Sequence, residues 1–309
     1  MPLVSPSGAP RDARSSAARL VLTILLGIVV GLGAGCRTAP PPAFLQGAPL
    51  SLEDPRASRF VDDYLVRIAS RKALLGTARV AISGPDFKLN RPQNVVVARP
   101  ARLRFEIVGL FEQLAAVIVS DGEHYGFYDA STGEMERGPV SPGLLWQLAK
   151  VDVEVEEAVG LLLAAPRPKD FGARAAVWQE GAERIGVGFT GARRHSRRGC
   201  PADPERGWRD AACFAAAGEL AAGGDAFVFD GEGRLVELRA FEAQGRLRYR
   251  ARFEDYGPLG EGAGRADFPG VVTIESPAVK SEARFTWKRV MLDGEVADRL
   301  FQLPERGTR

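Results

Sequence analysis

Few side chains in this chain could do covalent or metal chemistry: its 309 residues include only three cysteines and two histidines. His124 stands beside Tyr125 in a strand-like stretch, and His195 lies in an arginine-rich one. No H-E-x-x-H, G-x-S-x-G, G-x-x-x-x-G-K or C-x-x-C spacing occurs. Asp152, Glu154, Glu156 and Glu157 could be stretched into a paired-carboxylate acid–base site. They read better as the solvated start of a helix, whose N-terminus favours negative charge. His195 is the only other soft ligand near Cys200 and Cys213, and zinc wants about four. These residues point away from an enzyme and imply no metal and no cofactor. A net charge of +2 gives no nucleic-acid footprint.

One cysteine has a distinctive setting. Cys36 ends an apolar run from Leu20 to Gly35, and Arg11, Arg14 and Arg19 precede that run. A positive n-region, an apolar h-region and small residues before a cysteine describe a bacterial lipoprotein signal over residues 1–36. Gly33-Ala34-Gly35 before Cys36 resembles a lipobox, with Gly33 where that pattern prefers Leu. The run is shorter than the ~20 residues of a bilayer span. Cys36 is therefore read as the acylated first residue of the mature chain; the alternative is an uncleaved N-terminal anchor helix. In either case the rest of the chain faces the outside of a membrane. Arg37 follows, and the absence of Asp there fits outer-membrane retention by resemblance to enterobacterial sorting rules.

In an oxidising periplasm the remaining pair, Cys200 and Cys213, reads as one disulfide closing a short loop; two unpaired thiols are the alternative. The run Arg193-Arg194-His195-Ser196-Arg197-Arg198 beside it could meet anionic headgroups or an acidic partner, or form a plain solvated loop.

Positioning these residues requires folded elements. Pro40-Pro41-Pro42 opens a tether over 37–57. Phe60, Tyr64 and Ile68 at helical spacing predict an amphipathic helix over 58–73. The period then changes to two. In Arg102-Leu103-Arg104-Phe105-Glu106-Ile107 the apolar residues share one face, and Arg246 to Glu254 repeats the pattern. Such alternation predicts an antiparallel sheet with one wet and one covered face. Further strands are expected at 74–83, 93–98, 114–119, 123–129, 184–190, 226–230, 234–242, 267–275 and 282–290. Two helices interrupt them, one opened by Ser141-Pro142 and one led by Glu154 and stopped at Pro166. Residues 191–225 form a basic, Gly- and Ala-rich insertion. The sum is a single α+β domain over 58–305: a highly curved antiparallel sheet covered by about three helices. An apolar concave face of this kind leaves a cavity.

The stretch Arg102 to Phe111, the segment Val151 to Val155 followed by Val159 to Pro166, and the hairpin 234–254 resemble the LolB outer-membrane lipoprotein receptors and the wider LolA/LolB-like half-barrel group. The insertion, the cysteine pair and the lack of an early strand Trp depart from that pattern. The resemblance implies a half β-barrel whose concave face accepts acyl chains of another lipoprotein from a LolA-like periplasmic carrier and passes them to the outer membrane. On that reading the cavity is lined by Leu103, Phe105, Ile107, Val117, Phe127, Leu247, Tyr249 and Phe285. Leu110 and Phe111 form the tip of a membrane-contacting loop. The protein is then a monomeric, non-catalytic chaperone, lipid-anchored and facing the periplasm. The competing expectation is an envelope assembly lipoprotein that uses the same fold to bind a protein partner; its sheet interior would be filled by side chains.

Overall fold

The computed structural model describes residues 46–109, 111, 113–168, 174–190, 224–242, 246–259 and 266–303. The signal segment with Cys36, the cysteines 200 and 213, the arginine run 193–198 and Leu110 lie outside the described residues.

Helix α1 spans Pro55–Ser70. It begins three residues before the expected start because Asp54 caps it, accepting from the Arg56 and Ala57 amides at 2.9 and 3.4 Å, with Pro55 in the first turn. Its apolar stripe is Ala57, Phe60, Val61, Tyr64 and Ile68.

Fourteen strands follow or flank it among the described residues: β1 (Ala48–Leu50), β2 (Ala73–Gly84), β3 (Phe87–Ala98), β4 (Arg102–Val108), β5 (Leu114–Ser120), β6 (His124–Asp129), β7 (Met135–Pro139), β8 (Arg174–Glu180), β9 (Arg184–Thr190), β10 (Gly224–Phe229), β11 (Leu235–Phe241), β12 (Leu247–Leu259), β13 (Ala266–Ser276) and β14 (Ser281–Leu292). They form one antiparallel sheet in the order β1-β8-β9-β10-β11-β12-β13-β14-β2-β3-β4-β5-β6-β7. Three strands escape sequence patterning. β1 lies inside the stretch expected to be a tether and contains Pro49, and β7 contains Gly138-Pro139; both are edge strands, where proline is tolerated. β8 carries alanines of low strand propensity. Gly224 and Asp225, expected in the insertion, begin β10.

The two faces differ as the alternation predicts. Tyr249, Ala251 and Phe253 of β12 enter the main core, while Arg250 and Arg252 face Glu237 and Glu275. On the same outer face Arg239 bridges Glu180 at 2.5 Å and Glu237. Burial pushes the Glu180 carboxyl up, but hydrogen bonds from Arg239 and Trp178 outweigh this, and its pKa lies below the usual carboxylate value.

Helices α2 (Leu144–Ala149) and α3 (Val155–Leu162) share the inner face with α1. Ser141-Pro142 makes a preceding turn, Leu144 N–H to Ser141 O at 3.0 Å, and α2 starts after it at Leu144, with Gly143 as its N-cap. Glu154 and Glu157 form a capping box at α3, and Glu157 also pairs with Arg248. The acidic cluster is thus a helix start.

The other end of α3 is buried, and its carbonyls need partners. Ala164 takes the left-handed conformation (φ 48°) of a Schellman cap, with Ala165 N–H bonded to Gly160 O and Ala164 N–H to Leu161 O. The carbonyls of Leu163 to Pro166 are taken by side chains. Arg71 Nη1 donates to Leu163 and Ala164 O at 3.2 Å each, Arg99 Nη2 to Ala165 O, and Tyr64 Oη to Pro166 O at 2.7 Å. Burial pushes both arginines down to about 10, so they stay charged at neutral pH. Arg71→Met keeps the stem but removes the fork, so it is expected to destabilise the fold by roughly 2–3 kcal/mol in urea unfolding, against about 1 kcal/mol for Tyr64→Phe.

Candidate functional site

An apolar cavity of about 230 Å³ lies between the sheet and the α2–α3 pair. Its floor comes from seven adjacent strands: Ile274 of β13, Phe285 of β14, Val80 and Ile82 of β2, Phe87, Leu89 and Gln93 of β3, Phe105 and Ile107 of β4, Ala116 and Ile118 of β5, and Phe127 of β6. The roof is Leu145, Leu148 and Ala149 of α2, the connecting Val151 and Val153, and Ala158 and Leu162 of α3. Phe87, Leu89, Ile107, Phe127 and Leu148 are only half-buried and mark its open side, whereas Val80, Ile118, Val153 and Leu162 close the deep side. The Phe105 and Phe285 rings meet at 6.2 Å, and Phe285 stacks on Trp287 at 6.3 Å.

No carboxylate, histidine, cysteine, lysine or arginine lines this space among the described residues. Such a wall removes apolar surface from water and contributes no nucleophile, acid or base of its own. A lining of this kind is suited to hold hydrocarbon.

The structure brings together four of the eight expected lining residues: Phe105, Ile107, Phe127 and Phe285. The other four lie elsewhere. Val117 is on the opposite face, packed with Val119 and Leu303, because β5 pairs Ile118 with Phe105 and Val117 with Glu106. Leu103 shares the inner face but sits one inward position further along β4, in solid core. Tyr249 and Leu247 belong to β12, beyond β13 where the cavity ends; Tyr249 is core and Leu247 half-buried. Sequence reasoning missed the roof and eight of the twelve floor residues, Phe87, Leu89 and Gln93 among them. The alternation Phe87, Leu89 against Lys88, Asn90 carried a signal, but Pro92 interrupts the run and hides the strand's first half.

The expected contact loop connects β4 and β5 and is closed by Gly109 N–H to Gln113 O at 2.8 Å. Phe111 at its tip is 95% exposed and holds a left-handed backbone (φ 61°), which is unfavourable for a bulky residue. Leu114 beside it is also exposed. The tip follows directly on Ile107 and Ala116, a register pair on the cavity's half-buried side.

No family model matches the chain, and no curated protein matches it. Among solved structures it is similar to a LolA superfamily protein from Nitrosomonas europaea at 12% identity (TM-score 0.44; 78% of this chain, 97% of that one). It is also similar to a candidate outer membrane lipoprotein-sorting domain from Vibrio parahaemolyticus at 7% identity (TM-score 0.48; 79% and 95%). A third likeness is to a DUF1329 family protein from Desulfovibrio piger at 10% identity (TM-score 0.48; 79% and 95%).

Filling the cavity tests its geometry. Ala116→Phe is expected to lower binding of an apolar fluorescent dye at least tenfold with little change in Tm, whereas Val117→Ala is expected to lower stability and leave dye binding unchanged.

Proposed function

We propose that this chain is an outer-membrane lipoprotein, anchored through Cys36, that takes an acyl chain of another lipoprotein into the cavity and assists its passage into the bilayer, in the manner of LolB. The apolar cavity between sheet and helices is the observation that carries the reading. No bond is made or broken in such a transfer. The donor is a periplasmic carrier of LolA type, and the sheet is the half-barrel that receives the chain.

The magnitudes suit a hand-over. An apolar cavity of ~150 Å³ takes up benzene, so one of about 230 Å³ accommodates roughly nine carbons of one chain. At ~0.8 kcal/mol per buried methylene that contributes about 7 kcal/mol, a dissociation constant of about 10 µM before ordering costs. A chain held at that strength is captured from a carrier at close range and still leaves readily.

Phe111 and Leu114 supply the membrane contact in this reading. An exposed aromatic ring next to the cavity's open side enters the bilayer interface at little cost and brings that side to the acyl region.

The test uses the chain reconstituted in vesicles and a carrier loaded with a mature lipoprotein. Cargo is expected to appear in the vesicles only when the chain is present. Phe105→Glu, which puts a carboxylate in the cavity, is expected to lower transfer at least tenfold. Phe111→Ser is expected to lower delivery several-fold while leaving fold and dye binding intact. Cargo that stays on a competent carrier would move the assignment to binding of a protein partner through the same fold.

A further inference from the structure

One cation stands at the mouth of the cavity, on the apolar face of the sheet. Along β3, Leu89 and Gln93 line the cavity, and Arg91 lies between them at the strand's two-residue period, so it shares their face. Its register partner on β2 is Val80, itself a cavity residue. Strand β4 pairs with β3 only from Gln93 onward, so residues 87–92 form a free edge on that side. Arg91 therefore has the cavity wall on one flank and water on the other, and it is exposed.

The protein does not neutralise this charge. Among the described residues Arg91 makes no ion pair and no side-chain hydrogen bond. Arg234, Arg239, Arg248 and Arg252, by contrast, all pair with carboxylates. Arg91 also borders a groove with Lys88, Asn90 and Glu282, and that groove shares Ile82 and Leu89 with the cavity. Its one carboxylate, Glu282, stands on β14 opposite Ser83 and pairs with neither cation. The cavity of about 230 Å³ accommodates roughly nine carbons, so a slightly longer chain carries its head to this rim.

We infer that Arg91 binds the anionic head of an amphiphile whose tail fills the cavity, so that a chain ending in a carboxylate or phosphate is preferred to a neutral chain of the same length. This inference rests on the acyl-binding reading and widens its ligands beyond the acyl chains of lipoproteins. The guanidinium fork meets two oxygens of either anion at once. A free fatty acid and a phosphate-bearing lipid share that chemistry.

The experiment measures displacement of an apolar fluorescent dye from the full chain by decanoate, decyl phosphate and methyl decanoate, at low salt and about pH 8, where decanoate is ionised. The wild type is expected to bind at least one anion roughly threefold tighter than the neutral ester, the scale of an ion pair in contact with water. That preference is expected to vanish in Arg91→Gln, to persist in Arg91→Lys, and to shrink at high salt. It is expected to persist in Lys288→Gln, which removes an equal charge from an exposed position elsewhere on the sheet. Decanoate alone preferred assigns the rim to fatty acids, and decyl phosphate alone assigns it to phosphate-bearing lipids. Equal binding of anions and ester by the wild type overturns the inference. A preference that survives in Arg91→Gln, or one lost equally in Lys288→Gln, overturns it too. Failure of all three ligands to displace the dye would instead overturn the acyl-binding reading beneath it.

Discussion

Four consecutive main-chain carbonyls, from Leu163 to Pro166, are buried at the end of α3, and the placement of the cavity depends on how they are met. Water cannot reach them, so each must find a donor in the protein. Arg71 stands at the junction of α1 and β2, Arg99 just beyond β3, and Tyr64 within α1. Each draws its own element to the same short stretch. The charges are tolerated because the C-terminal end of a helix is the negative end of its dipole, and because Arg71 also donates to Asp267 O at 2.8 Å. With α3 fixed in this way, Ala158 and Leu162 are held above β2–β5.

The space beneath follows from side-chain size. Ala116, Ala149 and Ala158 face a region bounded by Phe105, Phe127 and Phe285, and none of the alanines reaches across it. Protein interiors are otherwise close-packed, and a space of this size leaves its lining without the contacts that larger side chains would make. On the proposed function, hydrocarbon in this space supplies those contacts and so couples stability to ligand binding.

Much of the sheet was legible because one face is wet: Arg102 to Ile107 and Arg246 to Glu254 alternate cleanly, and both fall in strands whose charges face outward except Arg248, which reaches Glu157 of α3. Legibility failed where both faces are covered. Leu114 to Val119 is apolar throughout, and Leu303 packs on the outer side of Val117 and Val119, so parity could not choose between Val117 and Ile118. The part of the cavity wall built from Phe105, Ile107, Phe127 and Phe285 could be read from alternation; the roof could not, because sequence order does not tell which helix covers which strand. Arg71 and Arg99 look like ordinary surface charges, and their burial depends on carbonyls about 90 and 66 residues away. Gln93 was hidden in the same way, since a polar residue in a strand reads as outward until register places it opposite Ile107.

Photolabelling with a decanoyl chain carrying a terminal diazirine locates the hydrocarbon directly. If the chain occupies the cavity, the labels fall on peptides bearing Ile118, Phe285 and Leu162, and excess unlabelled decanoyl ligand removes them. Labels confined to outer-face peptides such as those of Val119 or Leu303, or labelling that unlabelled ligand does not compete, would contradict an acyl-binding cavity.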